Sequence, residues 1–188
     1  MAERAVSPAA TDSATLAQPD LEAWGRAVGR GAVAGSVPLP LVLALRGPLG
    51  AGKSVLARAI ARAAGVTSAM PSPTYNLLFT YAADAGLRVH HLDLYRLEDP
   101  DDVWELGWQE LGEGEQIVLI EWPERAESLL PPDRWDVRLD FVPARDPGSG
   151  EEAGGAPDPA LRRIRIHRLG AAPSLPALGD SLPRDVES

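Results

Sequence analysis

Cysteine is absent from the 188 residues, which excludes a disulfide framework, thiolate catalysis and a Cys-ligated zinc centre. Long apolar runs are missing too: none approaches the roughly 20 residues that span a bilayer. Met1–Ala10 lacks a basic start followed by an apolar stretch, so no secretory signal is expected. These absences lead to the expectation of a cytoplasmic protein with no membrane partner. Lysine is nearly absent, with seventeen arginines against the single Lys53. Where arginine meets every other need for a cation, a retained lysine suggests a site at which a compact ammonium differs from a guanidinium fork. Positive charge is scarce overall, 18 basic side chains against 27 acidic ones giving a formal net charge of −9. Between Asp93 and Asp140 fifteen acids face four arginines, a stretch that repels a phosphate backbone and disfavours direct nucleic-acid binding.

What remains is the composition of one globular domain, large enough to bury a core unaided. Residues 1–19 are small, polar and proline-broken and read as a flexible N-terminal arm. Asp20 is expected to cap a helix to about Arg30, with Leu21, Trp24 and Val28 on its apolar face. The run LVLAL at Leu41–Leu45 suits a strand buried on both faces, and VLARAIARAAG suits a helix closed by Gly65. An antiparallel hairpin is expected about Ala83–Gly86, its second strand ending at Asp93. DDVWELGWQELG reads as helical or turn-like, with Trp104 and Trp108, four apart, anchoring the acidic segment to the core or to a partner. Ile117–Ile120 is a second buried strand, and WDVRLDFV and RRIRIHRL alternate as half-exposed strands do. The turn-rich residues 144–159 read as a flexible insertion and 170–188 as a flexible C-terminal tail, leaving 20–169 as the domain. The expected fold is α/β, P-loop NTPase-like, with a central mixed sheet covered by helices.

The chemistry is expected at Gly47–Ser54, GPLGAGKS, which fits G-x-x-x-x-G-K-[ST] between a predicted strand and a predicted helix. Gly47, Gly50 and Gly52 let the backbone N–H groups, with those of Leu49, Ala51 and Val55, turn toward phosphates. Lys53 neutralises the outer phosphates, the Ser54 hydroxyl ligates magnesium, and the helix adds the positive end of its dipole. This predicts nucleoside triphosphate binding. Such a loop also needs a carboxylate at a strand end for the metal. Asp93 in HHLDLYR and Glu121 in IVLIEWPE both follow apolar runs, and both stand as candidates. Thr74 in SPTYN is a third site candidate, a hydroxyl on a proline-stiffened loop placed to sense the terminal phosphate. His90 and His91 are adjacent in a strand, face opposite sides and cannot share an ion, and His167 reads as a strand surface residue.

Taken together, GPLGAGKS, SPTYNLL, HHLDLYRL, WELGWQEL and IVLIEWPERAESLLP, in this order, resemble the TsaE family of small bacterial ATPases of threonylcarbamoyladenosine tRNA modification. The resemblance covers about Leu21 to Leu169. It implies a protein that binds ATP and Mg²⁺ and hydrolyses ATP, slowly alone and faster with the TsaD and TsaB proteins, meeting tRNA only through that complex. It also implies roles: Lys53 on the phosphates, Ser54 on magnesium, Glu121 as magnesium ligand or water-orienting acid, Asp93 as an acid needed for hydrolysis, and Thr74 in a switch-like loop.

Two rivals share the loop. A small-molecule or nucleoside kinase needs an arginine-dense lid, which is not evident between the two acids. A nucleotide-dependent assembly switch needs only binding, with negligible hydrolysis.

Overall fold

The computed structural model describes residues 11–71, 77–143 and 158–181. Its centre is a seven-stranded sheet. In chain order the strands are β1 (Thr11–Ala17), β2 (Leu41–Arg46), β3 (Leu78–Ala82), β4 (Arg88–Asp93), β5 (Gln116–Glu121), β6 (Arg134–Val142) and β7 (Asp158–Leu169). Across the sheet they run β1-β7-β6-β2-β5-β4-β3. β6, β2, β5 and β4 are mutually parallel, while β3 pairs antiparallel with β4 and β7 antiparallel with both β6 and β1. The sheet is therefore mixed, as the sequence predicts.

Two helices, α1 (Gln18–Val33) and α2 (Lys53–Ala63), cover one face. Leu41, Leu43 and Leu45 of β2 join the core beneath them, with Trp24, Val28, Leu56 and Ile60. Val42 points the other way, into a second core with Leu92, Ile120, Val103 and Trp108. Burial on both faces is why LVLAL is a continuous apolar run rather than an alternating one. Over that second core lie short 3₁₀ turns at Pro100–Leu106, Trp108–Glu110 and Pro123–Leu129.

Several expectations are corrected. Residues 11–17 of the expected arm form β1, which adds to the open edge of β7 in the register Thr11↔His167 to Ala17↔Leu161 and buries Leu16. His167 lies at the surface of β7, as expected, and shares a 2.8 Å hydrogen bond with Thr11. The first helix starts at Gln18 and is flanked by Ala17, so Asp20 lies within its first turn and favours the positive end of the dipole rather than capping it. Asp158 and Pro159 of the expected insertion open β7, and residues 144–157 lie outside the described residues.

The expected tail is docked at least through Leu178, for a reason found in the core. Trp24 and Trp135 are buried, and a buried indole N–H needs an acceptor. Pro176 O accepts from Trp24 at 2.9 Å and Pro173 O from Trp135 at 2.7 Å, while Ala172 and Leu178 are buried beside them. Trp104 and Trp108 do not act as a pair. Gly107 takes φ 73° between the two 3₁₀ turns, so the four-residue spacing no longer defines one helical face. Trp108 is buried and donates to Leu129 O at 2.8 Å, whereas Trp104 is 44% exposed. No helix among the described residues is long and apolar enough to cross a membrane.

Candidate functional site

The parallel register sets Leu45, Glu121 and Asp93 level with one another at the carboxyl ends of β2, β5 and β4. The segment Gly47–Gly52 leaves β2 at this edge and returns as α2, so Lys53 and Ser54 enter the first helical turn beside the two acids. Gly47, Gly50 and Gly52 have φ of 133°, 78° and 106°, conformations that side chains rarely tolerate. A Cβ at Gly47 would also strike the carbonyl oxygen of Leu139 on β6. The Leu56 N–H closes the first helical bond onto Gly52 O, leaving the N–H groups of Lys53, Ser54 and Val55 as the free donors of the helix start. Ala51 is buried with its N–H on Pro48 O, and the side chain of Leu49 is 76% exposed at the loop tip.

Lys53 is only 4% exposed. Its ammonium donates to Gly47 O at 2.7 Å and Pro48 O at 2.9 Å and lies 3.8 Å from the centre of the Trp122 ring. Burial pushes its pKa down, against the pull of Glu121, Glu124 and Asp93, which raise it. Ser54 donates its hydroxyl to Glu121 Oε2 at 2.8 Å, and the other oxygen of Glu121 bonds His91 Nε2 at 2.8 Å. Because a carboxylate can only accept, Nε2 carries the proton there, and the buried Nδ1 has no partner. Asp93 stands beside this chain without joining it. It accepts the Tyr95 N–H at 3.0 Å, and burial pushes its pKa up despite that bond, with the nearby charge of Glu121 adding to the rise.

Ser54 and Glu121 offer hydroxyl and carboxylate oxygens, the donor types a magnesium ion takes. Among the described residues no group of three His, Asp or Glu side chains is placed to hold a metal alone. That suits magnesium, which is commonly held by one or two carboxylates together with substrate phosphates. Clefts open on both sides of the loop. One of about 440 Å³ is lined by Arg46, Pro48, Trp122, Glu124 and Arg138, and one of about 60 Å³ by Leu21, Gly50, Gly52, Val55 and Arg162.

The structure thus gathers Lys53, Ser54, Glu121 and Asp93, and Thr74 lies outside the described residues. Sequence reasoning missed His91 as a member of the site. His91 was set aside because His90 faces the other way, onto Thr80 at 3.0 Å. The usable signal was its parity with Asp93, two residues on along the same strand. Trp122 leaves β5 in the left-handed region, φ 57°, which turns its ring back over Lys53 and against Tyr95 at 4.9 Å between ring centres.

A family model described as threonylcarbamoyl adenosine biosynthesis protein TsaE matches residues 16–146, well over half of the chain. Curated relatives bear the name tRNA threonylcarbamoyladenosine biosynthesis protein TsaE. The protein from Rickettsia conorii is 41% identical over 102 residues, 54% of this chain and 57% of that protein. The protein from Treponema pallidum is 37% identical over 128 residues, 68% of this chain and 84% of that protein. The match therefore spans somewhat more than half the length of the Rickettsia relative and most of the Treponema one. A crystal structure of YdiB from Bacillus subtilis superposes with a TM-score of 0.59 over 87% of this chain and 89% of that one, at 24% identity, which speaks to the fold alone. With the family model spanning both the Gly47–Ser54 loop and the strand ends that carry Asp93 and Glu121, the chain belongs to the TsaE family.

Proposed function

We propose that the chain binds ATP with Mg²⁺ on the loop Gly47–Ser54 and hydrolyses it slowly, as an accessory of tRNA threonylcarbamoyladenosine formation acting on the TsaB and TsaD proteins. The observation that carries this reading is the 2.8 Å bond from Ser54 to Glu121, which joins the loop hydroxyl to a strand-end carboxylate. When bound, magnesium neutralises phosphate charge and orients the terminal phosphate.

The protein's own groups divide the work. The free N–H groups at the start of α2 bind phosphate oxygens, assisted by the helix dipole. Lys53 exchanges the carbonyls of Gly47 and Pro48 for the outer phosphates. Ser54 and Glu121 hold the ion, with His91 fixing the carboxylate through its second oxygen. Asp93 orients the water whose oxygen bonds the terminal phosphorus as the bond to the bridging oxygen breaks. The names of the matching family and of the relatives support the place in tRNA modification.

The test is phosphate release from ATP by the purified protein, alone and with TsaB and TsaD, with Lys53→Ala as control. Slow release that rises with the two proteins and vanishes in the control is expected. Release unaffected by them would remove the partner reading and leave a nucleotide site on the same loop.

A further inference from the structure

A concave surface lies away from the loop's phosphate side, between α1 and α2. Gly25 and Gly29 of α1 pack directly on the second helix, a Cβ at Gly25 meeting Ala59 Cβ at 3.0 Å and one at Gly29 meeting Ala63 Cβ at 2.9 Å. The helices run side by side in the same direction, and their outer side chains flank a groove of about 630 Å³. Its floor includes Val55, Ala59 and Ala63, and its walls carry Arg26, Arg30, Arg58 and Arg62.

The charge in this groove is compensated only in part, with four arginines against one carboxylate. Its single carboxylate, Glu22, is already engaged, one oxygen by Gln18 at 2.9 Å and the other by Arg26 at 3.5 Å. Arg62 donates to Val66 O at 2.7 Å. Among the described residues Arg30 and Arg58 have no hydrogen-bond or ion-pair partner. Between Gln18 and Val66 six basic side chains stand against two acids, the reverse of the balance between Asp93 and Asp140. The two regions also lie on opposite faces of the sheet, since the 3₁₀ turns that carry many of those acids cover the other core.

We propose that this groove docks an acidic, amphipathic segment of a protein partner, its apolar residues on Val55, Ala59 and Ala63 and its carboxylates on the arginines. Guanidinium forks match carboxylates in pairs of hydrogen bonds, and an apolar floor with charged walls is the arrangement that takes an amphipathic helix. An RNA backbone would use the arginines and leave the floor idle, and the acidic balance between Asp93 and Asp140 repels it. The location adds a consequence. Gln18 and Val55 close one end of the groove and also line the cleft beside Gly50 and Gly52, so a docked segment abuts the nucleotide loop.

The proposal rests on the partner reading given above, and the test separates the two. Binding of the TsaB–TsaD pair is measured by calorimetry for the wild type and for Arg30→Glu with Arg58→Glu, side chains chosen because no internal contact is lost. The pair is expected to bind the wild type, more weakly as salt rises, and to bind the variant at least about tenfold more weakly. The variant's melting temperature and ATP affinity are expected to be unchanged. Equal binding to both proteins would overturn this inference and leave the partner reading standing. No binding even to the wild type would overturn both. A variant that keeps the protein pair but loses affinity for tRNA would show the groove to be an RNA surface and overturn the proposal in favour of that one.

Discussion

The ammonium of Lys53 lies 3.8 Å from the centre of the Trp122 ring while two carbonyls of its own loop hold it from the other side. In the proposed function, nucleotide binding would break those two hydrogen bonds, and the ring would lose its cation as the ammonium moved to phosphate. An indole released from a cation and brought near a phosphate changes its emission. Addition of ATP and Mg²⁺ is therefore expected to change the tryptophan fluorescence, and Trp122→Phe is expected to remove most of that change although four tryptophans remain. A full signal in Trp122→Phe would place the reporting indole elsewhere.

Glu121 is 2% exposed and satisfies Ser54 with one oxygen and His91 with the other. Truncation and neutralisation should therefore part company. Glu121→Ala leaves a serine hydroxyl and an imidazole N–H unpaired in the interior, a loss of about 1–3 kcal/mol for each such group. Glu121→Gln keeps an oxygen to accept from the His91 N–H and gains an N–H donor, which the Ser54 hydroxyl oxygen can accept. Denaturant titration is expected to show the alanine variant clearly destabilised and the glutamine variant close to wild type, with both lacking ATP-dependent phosphate release. A glutamine variant that hydrolyses normally would remove Glu121 from the metal site.

What the sequence disclosed, and what it hid, follows physical lines. The Gly47–Ser54 pattern and the apolar runs ending in Asp93 and Glu121 were legible because each is local: glycines at positive φ, and strands buried on both faces. Lys53, Ser54, Glu121 and Asp93 meet because of register, and a parallel sheet makes strand-end position a good guide to register. The contacts that escaped are non-local. The edge strand β1 forms because β7 offers an open edge, and Pro173 and Pro176 dock because two distant indoles lack acceptors. His91 escaped for another reason: a histidine in a strand gains meaning only from the strand beside it, here β5 with Glu121.

Gly29 is a helix-interior glycine of ordinary backbone conformation, a position where alanine usually stabilises. Here a Cβ would collide with the carbonyl oxygen of Ile60 and press on Ala63, so propensity and packing oppose each other. Propensity offers about 1 kcal/mol to Ala, whereas overpacking against backbone costs about 1–3 kcal/mol and cannot be relieved by a rotamer change. Gly29→Ala is expected to destabilise the fold in a urea titration. Because the displaced helix is the one that begins at Lys53, ATP affinity should weaken as well. A stabilised variant would mean that the two helices separate freely.

Arg138 and Arg165 are direct cross-strand partners on β6 and β7, a like-charge pairing that the sheet does not favour. Asp140 resolves it, accepting from Arg165 at 2.8 Å and from Arg138 at 3.0 Å. Burial alone pushes the Asp140 carboxyl up, but these two hydrogen bonds and the charges behind them outweigh it and hold the group below its ordinary value. A carboxyl whose folded pKa lies below its unfolded one stabilises the protein above the unfolded value, and the contribution disappears as pH falls through the folded one. Asp140→Asn has no such contribution at any pH. Melting curves are expected to place the wild type above the variant near neutral pH, with the gap closing as pH drops below the carboxylate range. Both guanidinium side chains are about half exposed, so added salt should narrow the gap too. A gap that persists in acid and in high salt would mean that Asp140 acts through packing, and that the paired arginines are tolerated without their counter-charge.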